Sequence, residues 1–308
     1  MDRPASRGTI ILCAFTGILA AAASGAGVFL RGDLATTPFV TVRGEEVDVL
    51  TGGTYRFNGL AIAAEGVGWD FVTLFLVVPF FFVTLVFMGR GSLRATLAAM
   101  GVLAYLLYQF AEYAMYLAYG PLFLLYVATF SLSLVALAIL AFSLGLEHLG
   151  ARFSSRFPRR GIMGLGVLMA VLLTGMWLPM IARSFGQGLV EELDGATTLV
   201  VQAFDLGFLV PLGLFTAYTV YRWLPVGYVL SAIVVVKAMA MATAIFAMLA
   251  FEYLATGELA LPPMIVFAGI ALIGLYLAVR VYASVGTGRQ VEHAGPPHHV
   301  MAHPSPAD

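Results

Sequence analysis

The chain has 308 residues, of which 61% are hydrophobic and 11% charged, with a net charge of −1. Soluble domains carry about a quarter of their residues as charges, so this composition excludes a water-soluble enzyme and reads as a protein folded in a lipid bilayer. The near-neutral balance, with arginines dispersed rather than striped, excludes nucleic acid as a partner, and the single cysteine, Cys13, excludes an internal disulfide and reads as a buried structural thiol.

The first apolar run, Gly8 to Leu30, follows Arg3 and Arg7 and is long enough to span, since a bilayer core of about 30 Å takes about 20 helical residues. Its basic flank and alanine-rich end, Ala20 to Ala26, also fit a cleaved signal peptide, and both readings stay open. Arg31 to Gly68 is the longest polar stretch between apolar runs. Within it, Phe39, Val40, Val42, Val47 and Val49 sit in β-prone pieces separated by Arg43 to Glu46, which predicts a hairpin or three short strands. An amphipathic approach segment, Leu60 to Gly68, follows. The remaining apolar runs predict helices over Trp69 to Met88, Ala95 to Tyr119, Leu122 to Leu146, Gly161 to Ala182, Thr197 to Tyr221, Val226 to Phe251 and Pro262 to Tyr282. Pro79, Pro179 and Pro211 lie inside them, where a membrane helix tolerates a kink.

The fold class is thus an all-α polytopic membrane protein with eight transmembrane helices and a small β-containing outer loop between the first two. One transmembrane domain covers 1–283, with the outer loop at 31–68, and the Gly-, Pro- and His-rich stretch 284–308 reads as a disordered cytoplasmic tail. Eleven arginines fall on one side of this arrangement and four on the other, namely Arg31, Arg43, Arg56 and Arg183. The positive-inside rule then predicts a cell-membrane protein with both termini cytoplasmic. It leaves most acids outside, Glu65 and Asp70 among them.

Three ionisable residues remain within the membrane runs: Glu112, Asp205 and Lys237, the only lysine. A charge near the bilayer centre costs about 2.5 to 3.5 kcal/mol on insertion scales, so such residues face a bundle interior or a wet cavity and find a partner. Counting helical rise, Glu112 and Asp205 lie about 10 to 12 Å below the outer surface and Lys237 lies near the midplane. Spacings of three and four residues place Gln109 with Glu112 on one stripe and Gln202 with Asp205 on another. The tight turn at Arg222 to Pro225 makes the Asp205 and Lys237 helices antiparallel neighbours, which predicts a direct Asp205–Lys237 pair. Asp205, Lys237, Glu112, Gln202 and Gln109 therefore form the candidate site, a polar pocket walled by tyrosines Tyr105, Tyr108, Tyr113, Tyr116 and Tyr119. The alternative is that the charges only fix helix register.

No cofactor is implied. All five histidines fall outside the membrane runs, so no intramembrane pair can ligate a haem, and the sequence holds no HExxH, GxSxG or GxxxxGK[ST] motif. The Asp194-Gly195 pair lacks the downstream acids and arginine that lipid-headgroup transferases need.

The segments Thr54-Tyr55-Arg56-Phe57-Asn58, Asp70-Phe71-Val72-Thr73-Leu74, Pro121-Leu122-Phe123 and Val201-Gln202-Ala203-Phe204-Asp205-Leu206-Gly207, with Val236-Lys237 further on, resemble those of a group of bacterial multi-pass membrane proteins. The likeness covers most of Tyr55 to Phe251. It implies that the loop and the Asp and Lys helices belong to one recurring architecture. The chain departs from the group in having Asn58 where an acid is common and Glu112 where none is expected.

Two functions compete. One is a carrier or small-ligand receptor using an outward-facing pocket for a small ligand or ion, although the sequence shows no inverted repeat of the kind secondary transporters carry. The other is a non-catalytic membrane scaffold or sensor whose outer loop binds a protein partner. A lipid-modifying enzyme comes third, for want of a nucleophile or metal set.

Overall fold

The computed structural model describes residues 5–145, 149–187, 193 and 196–286. The expectations for the tail, its histidines and Asp194-Gly195 lie outside the described residues. In chain order the elements are α1 (Arg7–Phe29), a hairpin of β1 (Thr36–Val40) and β2 (Glu46–Leu50), then α2 (Leu60–Gly89), α3 (Leu93–Tyr116), α4 (Phe123–Ser143), α5 (Arg159–Gln187), α6 (Val200–Tyr221), α7 (Pro225–Thr256) and α8 (Leu261–Ser284). All eight helices are long and apolar enough to cross a membrane. Among the described residues the protein is thus an α-helical bundle of multi-pass design with one small sheet.

Helix ends follow local chemistry. The Ser6 hydroxyl accepts the Thr9 N–H at the start of α1 (3.1 Å), and Ser92 accepts that of Ala95 at the start of α3 (3.3 Å). Pro225 opens α7, where its missing N–H costs nothing, and Gly257 closes it in the left-handed conformation that only glycine adopts freely. The hairpin is antiparallel, pairing Thr36 with Leu50 and Val40 with Glu46. Of the two sequence readings, the hairpin is the one observed.

One boundary differs from expectation in a way that matters. Leu60 to Gly68 is not a separate approach segment but the first turns of α2, continuous with the rest of that helix. Its small residues explain why a run of modest hydropathy is drawn into the bundle. A Cβ on Gly68 would lie 2.6 Å from the Ala247 carbonyl oxygen, so α2 and α7 approach backbone to backbone there.

α2 and α6 share an unusual feature. Each contains a stretch of wider π-helical turn, Thr73–Val77 and Asp205–Leu209, followed at once by a Val-Pro pair, Val78-Pro79 and Val210-Pro211. The extra residue absorbs the ring that would otherwise clash within a regular turn. The correspondence continues in register: Arg90 matches Arg222, and Gly91 and Trp223 are the left-handed residues of the turns that follow. Beyond those turns, Tyr105 on α3 matches Lys237 on α7. Upstream, Asp70-x-x-Thr73 matches Gln202-x-x-Asp205. The bundle is therefore a tandem of two four-helix halves, α1–α4 and α5–α8, running in the same sense. In both halves the first helix packs on the second, the second on the third and the third on the fourth. The halves meet chiefly where α7 packs on α2 and α3, and α3 is the most enclosed of the eight helices.

Candidate functional site

Two polar clusters occupy corresponding positions in the two halves. In the first half the centre is Asp70, which is 1% exposed. Tyr55, from the loop after the hairpin, donates its phenol to Asp70 Oδ2, and Gln109 on α3 donates to Oδ1 at 3.2 Å. Thr73 joins Gln109 (2.7 Å) to the Tyr105 hydroxyl (2.8 Å), and Tyr113 donates to the Gly66 carbonyl (3.0 Å). Burial, and after it the neighbouring Asp70 charge, hold the Tyr55 phenol well above its ordinary pKa, so it serves as a donor. Helix α1 seals this cluster from the far side: a Cβ on Gly27 would overlap the Asp70 carboxyl.

The loop that carries Tyr55 is itself pinned. Thr54 hydrogen-bonds the carbonyls of Ala26 (2.9 Å) and Leu30 at the end of α1. Asn58 accepts the Ala118 N–H at 2.8 Å while donating to the Tyr55 carbonyl at 3.1 Å. Position 58 thus uses both ends of an amide, which a carboxylate cannot supply.

In the second half the centre is Asp205, the first residue of the π turn in α6. It accepts hydrogen bonds from Tyr108 on α3 (2.6 Å) and from Trp177 Nε1 on α5 (2.8 Å). The expected direct Asp205–Lys237 pair is not formed. The Lys237 ammonium sits instead over the Tyr108 ring, 3.9 Å from its centroid, so the phenol lies between cation and carboxylate: its hydroxyl serves the acid and its face serves the base. Asp205 is held by donors on α3 and α5, and the Lys237 ammonium is held on the aromatic face instead. Lys237 is buried, as an intramembrane cation facing the bundle should be.

Glu112 is 4% exposed, and its Oε1 has no hydrogen-bond partner. Buried polar atoms of this kind are few in folded proteins, and each calls for an explanation. Gln109, expected beside Glu112, turns instead to Asp70 and Thr73. Gln202 lines the same cavity as Asp205 and Glu112.

That cavity, of about 350 Å³, lies between the halves, with α2 and α3 on one side and α5 to α8 on the other. Its volume is in the range of small-molecule sites. A second cavity of about 480 Å³ lies under the hairpin, lined by Phe39, Val47 and Asn58 among others, and the two share Ile62 and Tyr116 as a partition. The hairpin is held over it by Arg43, which reaches the Ala196 carbonyl before α6 and pairs with Glu45 at 2.8 Å.

The structure therefore brings Asp205, Glu112 and Gln202 to one cavity, places Lys237 behind the Tyr108 ring and outside the lining, and separates Gln109 from them. Three contributors were missed from sequence: Asp70, Trp177 and Tyr55. With hydropathy alone setting the helix start at Trp69, Asp70 falls at the outer end of the predicted helix among the acids outside the membrane, and so escapes the list of intramembrane charges. The one available signal was that Leu60 to Gly68 contains no residue that stops a helix. Among the described residues no group of His, Cys, Asp and Glu side chains is arranged to hold a metal ion. A scan against protein-family models and searches of curated proteins and of solved structures find no match.

Proposed function

We propose that the protein is a carrier or receptor that takes a small ligand into the cavity between its two halves, in the cell membrane with both termini cytoplasmic. The observation that carries this reading is Glu112. A carboxyl group in a bilayer-embedded core is costly, and one whose Oε1 is left without a partner beside an open cavity costs more still. A carboxyl serving only to fix helix register would have a hydrogen bond on each oxygen, as Asp70 and Asp205 do. Glu112 is supported for use rather than for packing.

The test opposes stability to occupancy. Glu112→Leu should melt higher than the parent, by about 1–3 kcal/mol of recovered desolvation, while losing the ordered small-molecule density expected between Glu112, Asp205 and Gln202 in a map of the protein purified in nanodiscs. A destabilised Glu112→Leu protein and a parent cavity empty of density would refute the reading.

A specific observation also favours the second reading, a partner-binding outer loop. β1 is exposed along its whole length, and Val40 and the turn residue Val42, at 90%, present apolar surface to the outside. Binding of a partner there is compatible with a ligand site beneath it.

A further inference from the structure

The ligand chemistry can be narrowed, and the narrowing rests on the cavity reading above. Among the described residues, the side chains lining the cavity include three acids, Glu65, Glu112 and Asp205, and no basic residue. Lys237 does not line it. Its ammonium lies over the Tyr108 ring, and Lys237 instead borders a small crevice of about 50 Å³ between α5, α6, α7 and α8. A negatively charged ligand would therefore meet lining carboxyl groups that oppose it, while the neighbouring cation, Lys237, is already engaged on the Tyr108 ring, at a depth where water screens little.

The walls point the same way. Trp69, Tyr108, Tyr113, Tyr116 and Trp177 line the cavity together with methionines. Aromatic faces attract cations through their quadrupole, most strongly where water is excluded, and one face in this cluster already holds an ammonium, that of Lys237 on Tyr108. Methionine adds polarizable apolar surface that moulds to varied shapes. Two polar atoms of the described lining residues are buried without a partner, the acceptor Glu112 Oε1 and the donor Trp69 Nε1, so the complementary groups on the ligand are an N–H donor for the first and, for the second, an acceptor atom on the ligand body. Asp205, with one hydrogen bond already on each oxygen, retains a lone pair on each for a second contact.

We infer that the cavity binds an organic ammonium ion, a protonated amine with an apolar body, whose N–H group is taken by Glu112 and whose charge is shared by Asp205 and the surrounding aromatic faces.

Three probes of one shape separate charge from size: 4-phenylbutylamine, protonated at neutral pH, the uncharged 4-phenylbutanol and the anionic 4-phenylbutyrate. Calorimetric titration into the full chain in nanodiscs, with partition into empty nanodiscs subtracted, should give an ammonium affinity at least tenfold above that of the alcohol, and no binding of the carboxylate. Glu112→Gln, which keeps size and shape, should lower the ammonium affinity about tenfold and leave the alcohol within threefold. Because the comparison among probes is made on the parent chain, it stands even if the variant does not fold. Equal or tighter binding of the alcohol or the carboxylate would overturn the ammonium assignment while leaving a small-ligand cavity in place. An unchanged ammonium affinity in Glu112→Gln would overturn the role given to that oxygen. Failure of all three probes would overturn this inference alone, since the cavity reading is decided separately by the density and by the stability of Glu112→Leu.

Discussion

Tyr108 holds together two charges that do not touch each other. Its hydroxyl donates to Asp205 at 2.6 Å and its ring receives Lys237 at 3.9 Å, so the two functions can be removed one at a time. Tyr108→Phe deletes the hydrogen bond and keeps the face, and should cost about 0.6–2 kcal/mol, the range of intramembrane hydrogen bonds. Tyr108→Leu deletes both and should cost roughly a further 1–2 kcal/mol for a desolvated cation left without its ring. Thermal melts of the purified variants read the difference, and equal losses would show that the ring contact with Lys237 contributes nothing. Asp205, Lys237 and Glu112 were legible in the sequence because a charge within an apolar run has few explanations. Trp177 and Tyr55 were not, since an aromatic residue near a helix end fits a lipid interface as well as a hydrogen-bonded site, and only the fold tells which.

At the scale of elements, hydropathy gave eight helices correctly and their ends less well. Trp69 to Met88 was extended to Leu60–Gly89 because packing, not apolarity, determines where α2 begins. The π turns were illegible: Pro79 and Pro211 predicted irregularity in α2 and α6, but the same rule gave Pro179, which lies inside α5 with no such turn recorded around it. What distinguishes the first two is the cluster alongside, since each wide turn starts at a polar residue that the site uses, Thr73 or Asp205. The close crossing of α2 and α7 is testable at one position. Gly68→Val would place side-chain atoms against the Ala247 and Met248 backbone, where no flexible group can yield. The halves should separate locally at a cost of about 1–3 kcal/mol or more. A lowered melting temperature together with a larger tryptophan emission shift, from Trp69 next in the helix, would record that opening. A variant that melts like the parent would mean the helices are not in backbone contact.

For the whole molecule the sidedness of the bundle is open to direct measurement. Single cysteines at Thr51, in the loop after the hairpin, and at Ser155, between α4 and α5, are both exposed and lie at opposite ends of the helices. In intact cells an impermeant thiol reagent should label position 51 and not 155, as the arginine distribution requires, while the native Cys13, fully buried in α1, stays silent. Labelling only at 155 would invert the topology and turn the cavity toward the cytoplasm.

The match in register between α2–α3 and α6–α7 has a consequence for how such a chain could arise. A unit with an even number of spans, joined end to end with a copy of itself, inserts twice in the same orientation, so doubling needs no change in topology signals. Each copy would bring its own pair of positions to the shared seam, 73 with 105 and 205 with 237. In one copy they now hold Thr and Tyr, in the other Asp and Lys. A symmetric pair of such units would present the same chemistry twice. Covalent linkage frees the two copies to diverge at these positions, and a single asymmetric seat replaces two identical ones.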